Sequence, residues 1–219
     1  MSRAAIEAHP LDDRGSVAWL LGAADHAQRA SCAIVVGAGT LVVDPIDGDG
    51  LDALLSGLPS VIGVVTLLDR HQRDAATVAE RLGAPRVTPI ALGGSGVAVD
   101  GVEERPVFER RRWREALLWL PDRRLLVCAE TLGTAGFDLA HGGDLLGMHP
   151  IARLQPPRAA FAGLDPEVIA VGHGPPLDHG ATEAMRNVLR RARWQLPQSW
   201  MRMVPAAVRA SRAARRARP

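Results

Sequence analysis

"TLLDRHQRDA" spans residues 66–75, between the apolar run "SVIGVV" (60–65) and the helix-patterned "DAATVAERLGAP" (74–85). The stretch sits where a buried strand passes into a helix. In layered α/β folds such strand ends are where sites form. One histidine, His71, stands among Asp69, Asp74, Arg70 and Arg73. Imidazole and carboxylate are ordinary ligands for Zn, Mn or Fe. The same residue types also build polar turns that cap helices. The ten residues alone do not choose between a metal-ligand loop and a turn; their place in the chain does.

Outward from this point, short apolar runs alternate with turns. "SVAWLLG" (16–22) and "ASCAIVVGAGTLVVDP" (30–45) read as strands, the second run folded at Gly37–Gly39. "GDGLDALLSGL" (48–58) reads as a short helix capped by Asp49, and Arg73–Leu82 as a helix stopped by Gly83. "VAVDGVEERPVF", "EALLWLP" and "RLLVCAE" are further strands, the last two joined by the turn "PDRR". A final strand, "EVIAVGHGPP", precedes a helix from Thr182 to about Arg193. Strands in both halves with helices between them predict a layered α/β fold with mixed sheets.

Three polar clusters fall at ends of these strands: Asp69, His71 and Asp74 after "SVIGVV", Glu130 after "RLLVC", and His173 after "EVIAV". His173 stands between two glycines, which let the backbone approach closely. Other motifs fail. "GAGTLV" lacks a third glycine and is followed by a strand, where a dinucleotide loop needs a helix N-terminus. "GGSGV" lacks the second glycine of a nucleophile elbow, and the absence of Lys excludes a phosphate-cradling GxxxxGK[ST]. Cys32 and Cys128 lie in apolar runs without a CxxC and read as packed thiols.

The order of these segments resembles the metallo-β-lactamase superfamily across most of residues 17–192. That resemblance implies an αββα sandwich of two mixed β-sheets with outer helices, over a domain at 1–194. It also implies a metal site at one sheet edge that activates water for hydrolysis. The family's H-x-H-x-D-H motif falls on Asp69-Arg70-His71-Gln72-Arg73-Asp74, so only His71 is retained as such. Asp69 takes the place of the first His, Arg73 that of the Asp, and Asp74 that of the last His. A further His position falls near Arg111, the Asp after the hairpin becomes Glu130, and the last His is retained as His173 in "GHGPP". Asp44 of "LVVDP" matches the strand-end Asp that supports the loop. His141 and His149 lie in a segment that runs near the site edge in this family.

Arginine offers no lone pair to a metal. Arg73 and Arg111 at ligand positions therefore exclude an ordinary two-metal site. Two readings remain. In one, Asp69, His71, Asp74, Glu130 and His173 gather around a single Zn, Mn or Fe and retain ester, thioester or lactone hydrolysis. In the other, no metal is held, Arg73 and Arg111 pair with Asp69, Asp74 and Glu130, and the protein is non-catalytic or binds a small-molecule ligand. The arginines favour the second.

Charge is divided along the chain. Ten arginines and no acids follow residue 185, while residues 1–185 carry a net −8. The tail, 195–219, adds Trp200, Met201 and Met203 to its arginines. Its composition fits a solvated tail, a contact with an anionic membrane surface, or, less well beside an acidic body, nucleic acid. With no signal-segment pattern and no apolar run of about 18 residues, a cytoplasmic protein is expected, peripheral to a membrane if the tail binds lipid.

Overall fold

The computed structural model describes residues 4–22, 25, 27–37 and 39–201. The first sheet has six strands in the order β1 (Ile6–Pro10), β2 (Val17–Leu21), β3 (Ala30–Val36), β4 (Gly39–Val43), β5 (Val61–Val65) and β6 (Arg86–Val87). Pairings from β1 to β4 are antiparallel, and those of β4–β5 and β5–β6 are parallel. The second sheet contains β7 (Glu103–Arg110), β8 (Trp113–Leu120), β9 (Leu125–Cys128) and β12 (Val168–Ala170), in the order β12-β9-β8-β7. Its β12–β9 pairing is parallel and the others are antiparallel. A two-stranded ribbon, β10 (Leu132–Gly133) with β11 (Gly147–Met148), lies between β9 and β12 in sequence.

Alternation along the strands explains the layering. Ala18, Cys32, Ile34, Leu41, Val43 and Val65 enter the main core with residues of the second sheet such as Leu118 and Val127. Their neighbours Val17, Trp19, Ala33, Val42 and Val64 face the other way. There they meet α1 (Leu51–Ser56) and α2 (Ala75–Leu82) through Leu51, Leu55, Ala75 and Val78. Strands covered on both faces read as continuous apolar runs, which is why "SVIGVV" and "GTLVV" lack polar alternation. On the other side α3 (Pro150–Leu154) and α4 (Ala181–Arg191) supply Ala152, Met185, Val188 and Leu189 to the main core. The result is the αββα sandwich of mixed sheets implied by the sequence.

Some local expectations are corrected. Gly50, at φ 98°, caps α1, so Asp49 is not the capping residue. Helix α2 begins at Ala75, with Asp74 at its N-cap, and Arg73 precedes it at φ 37°. Residues 97–102, expected as strand, have no strand, with a turn at Asp100–Gly101. β1, β6, β10, β11 and α3 were not anticipated. Gln195 and Ser199, placed in the tail by sequence, are buried, and a helical turn runs through 196–201. The rest of the tail and His26 lie outside the described residues. No helix among the described residues is long and apolar enough to cross a membrane.

Candidate functional site

Asp44 follows β4 at φ 45° and is buried. Its Oδ1 accepts the Leu67 N–H at 2.9 Å, and its Oδ2 lies 3.1 Å from His71 Nδ1. Asp44 thus holds the loop after β5 and orients the buried His71 ring, as the match to a strand-end Asp implies. With Nδ1 directed at a carboxylate, Nε2 is the His71 ring nitrogen turned away from Asp44.

His173 follows β12. Its Nδ1 donates to the Ala27 carbonyl at 2.9 Å, which leaves its Nε2 unprotonated. The His71 and His173 ring centroids are 5.5 Å apart. The glycines around His173 serve close packing. A Cβ on Gly172 would lie 2.1 Å from the Ala129 carbonyl oxygen, and one on Gly174 would lie 2.3 Å from Thr134 Oγ1. The close approach expected of "GHG" is to the protein's own 129–135 segment.

Arg73 lies beside this pair. Its Nη1 donates to the carbonyls of Ala30 and of Asp44 (3.0 Å), and its Nη2 to the carbonyl of Gly172 at 2.8 Å. Ala30 and Asp44 belong to the first sheet and its edge loop, whereas Gly172 follows β12 of the second. One guanidinium therefore ties the two sheets together where both histidines sit. Burial pushes its pKa down, and the Asp44 carboxylate opposes that. The group stays charged nonetheless, since arginine is effectively always protonated in proteins.

The expected clamp of Arg73 and Arg111 on three carboxylates is not what the side chains form. Arg73 spends its donors on carbonyls, and Arg111 is exposed at the β7–β8 turn, outside this network. Asp69 pairs with the second sheet: its Oδ2 accepts the Arg114 N–H at 3.2 Å and its own N–H donates to the Arg114 carbonyl. Asp74 Oδ2 accepts the Asp47 N–H at 2.8 Å and fixes the loop before α1. Glu130 is held by Arg70 Nη2 at 2.9 Å, with His149 Nε2 at 3.5 Å. Arg70 is the arginine that meets a carboxylate here, and its guanidinium also lies 4.5 Å from the Trp113 ring centroid.

The structure thus brings together His71, His173, Asp44 and Arg73, and turns Asp69, Asp74 and Glu130 to other partners. Among the described residues, no group of three or more His, Cys, Asp or Glu side chains is placed to hold a metal ion. Two imidazoles beside a fixed cation are a poor fit for a divalent metal, which needs further donors and is repelled by the guanidinium. His149 does not join them: it pairs with Glu130, and its Nδ1 accepts the Ile151 N–H at the start of α3. His141 is exposed.

Sequence reasoning missed Glu115. It lies on β8, fully buried, with Oε1 accepting the N–H groups of Glu130 and Thr131 and Oε2 accepting Trp113 Nε1 and Thr131 Oγ1. It anchors the segment that carries Glu130. The available signal was one acid inside the otherwise apolar "EALLWL".

The electrostatics yield a pH prediction. Burial is the main cause that lowers the His173 pKa from 6.5 to about 4, with Arg73 and His71 adding to it. A histidine with a depressed folded-state pKa contributes stability above pH 6.5 that is lost as pH falls towards 4. Its share is roughly 3 kcal/mol. Glu115 and Asp138, raised by burial, act in the opposite direction as pH falls. Comparing the wild type with His173→Asn isolates the histidine: the variant's melting temperature is expected to fall less steeply between these pH values. Parallel curves would contradict the assignment.

No family profile and no curated protein sequence matches the chain. Its fold is that of the metallo-β-lactamases. An Erythrobacter litoralis metallo-β-lactamase with β-mercaptoethanol in its active site matches at TM-score 0.59 and 14% identity, over 88% of this chain and 98% of that one. The enzyme from Hirschia baltica matches at 0.56 and 10%, over 88% and 98%. The structure of an NDM_FIM-1-like metallo-β-lactamase from Erythrobacter litoralis in its mono-zinc form matches at 0.56 and 12%, over 90% and 99%. At such identities the likeness is one of fold, and a fold does not carry an activity with it.

Proposed function

We propose that this chain is a non-catalytic protein on a metallo-β-lactamase fold, with the guanidinium of Arg73 standing in for a metal ion at the strand-end site. The observation that carries the reading is the set of three carbonyl acceptors around Arg73, drawn from both sheets, beside the retained His71 and His173. A fixed cation there keeps the sheet edges together and repels a divalent ion. The site then serves binding without turnover, and a small-molecule ligand would be held by charge and hydrogen bonding. The experiment is a hydrolysis screen with ester, thioester and lactone substrates, with Zn, Mn or Fe added or with chelator present. Rates equal to the buffer blank in every arm are expected.

The second reading is a single-metal hydrolase, favoured by one observation: both histidines commit Nδ1 to an acceptor and leave Nε2 free. Metal-ligating histidines are held in this way. Metal-dependent turnover abolished by His71→Ala and by His173→Ala would establish this reading and overturn the first.

A further inference from the structure

The C-terminal end of the described chain has a composition that neither reading uses. Glu183 is the last acid in the sequence. Beyond it α4 turns Met185, Val188 and Leu189 into the core and leaves Arg186, Arg190 and Arg191 exposed, with Arg193 exposed just after. Among these arginines stand large apolar side chains in water: Trp194 is 84% exposed, Met201 68% and Trp200 45%. A cavity of about 440 Å³ is lined by Arg158, Arg190, Arg193 and Trp194. Helix α3 lies next to this segment, joined to it by Arg153 Nη1 and Gln195 Oε1 at 2.9 Å, and it too exposes apolar residues, Ile151 and Leu154.

We propose that this surface docks on an anionic phospholipid bilayer. Charge complementarity selects the partner: arginines without an acid beyond Glu183, and six more arginines in residues 202–219. Each Lys or Arg near an anionic surface adds about 1 kcal/mol of attraction. Tryptophan is an interfacial residue, its ring amphipathic and its N–H satisfied at headgroup depth. The exposed Met201, Ile151 and Leu154 separate lipid from nucleic acid, because aliphatic and thioether groups gain by entering acyl chains and offer no stacking face to a base. The Arg-lined cavity beside Trp194 suits a lipid phosphate. The chain would then sit peripherally.

The test is flotation of the full chain with phosphatidylcholine vesicles, with and without about 30 mol% phosphatidylglycerol. Binding to the anionic vesicles is expected, at least about tenfold above neutral ones and weakened by salt. The other three tryptophans, Trp19, Trp113 and Trp119, are buried. A blue shift of emission on binding would therefore report Trp194 and Trp200. Trp194→Ser with Trp200→Ser, and separately Arg190→Glu with Arg193→Glu, should each weaken binding at least about tenfold and leave the melting temperature unchanged. Equal binding to neutral and anionic vesicles would overturn the proposal. So would anionic binding that both double variants retain, or binding to single-stranded DNA tighter than to the anionic vesicles and lost in both variants.

Discussion

Arg73→Ala is expected to destabilise the protein by about 3–4 kcal/mol, which for a chain of this size lowers the melting temperature by about 10 °C. The substitution removes every donor that the carbonyls of Ala30, Asp44 and Gly172 find in the guanidinium. The Asp44 carbonyl keeps Ser31 Oγ at 2.8 Å and the Gly172 carbonyl keeps the Ala30 N–H at 2.9 Å, so the loss is that of hydrogen bonds to a charged group, about 1.5–3 kcal/mol each, and entering water recovers part of the sum. Removing a buried charge offsets a further part, because its desolvation is no longer incurred. Arg73→Lys keeps the charge but not the planar fork, so about half the loss is expected. The effect should include easier separation of the sheet edges, visible as faster amide exchange at the backbone around Ala30 and Gly172. An Arg73→Ala protein that melts like the wild type would show that the guanidinium is a passenger.

Glu115→Ala should be as damaging, at about 3–5 kcal/mol. The carboxylate gathers Trp113 Nε1 and Thr131 Oγ1 at 2.7 Å, the Thr131 N–H at 2.9 Å and the Glu130 N–H at 3.0 Å. Glu115→Gln preserves shape but turns an NH2 towards donors, and a loss of about 2–3 kcal/mol is expected. Burial raises the Glu115 pKa, and the four donors hold it down. Its contribution to stability is therefore complete below the unfolded-state value of 4.5 and declines as pH rises through the folded-state value. Denaturant midpoints of both variants against an exposed control, Glu103→Ala, measure this. A shift no larger than the control's would mean that the 129–131 segment is held by other contacts.

The fold was legible because β2 to β5 of the first sheet are covered on both faces, so their apolar runs are continuous and their boundaries are turns, whereas the exposed β1 and β6 carry no such run. The two retained histidines were legible from the order of the segments, since "GHG" and a lone His in a strand-end loop are each, taken alone, equally patterns of polar turns. The partners of the charged residues were not. Arg73 takes a positive φ just before a helix, and no pattern in residues 66–75 announces that turn. It sends the guanidinium to carbonyls 29, 43 and 99 residues away rather than to the carboxylates beside it. Arg70, one residue before His71, reaches Glu130 across 60 positions and performs the role expected of Arg73 and Arg111. Side-chain pairings of this kind depend on which strands meet across the sandwich, and strand order is not written in any local stretch. Glu115 illustrates the same limit. An acid in an apolar strand signals a buried role, while three of its four donors come from Glu130 and Thr131 after β9 and only one, Trp113, from its own strand.

The strand-end site carries its own cation in Arg73. The most direct measurement is an equilibrium zinc titration of the full wild-type chain, purified without chelator or a histidine tag, with bound metal counted by elemental analysis. Substoichiometric zinc in the folded wild type, together with a gain of affinity in Arg73→Asp, is the result expected when a guanidinium occupies a ligand position. Stoichiometric zinc in the wild type, lost in His71→Ala and in His173→Ala, would contradict it and make the histidine pair a metal centre.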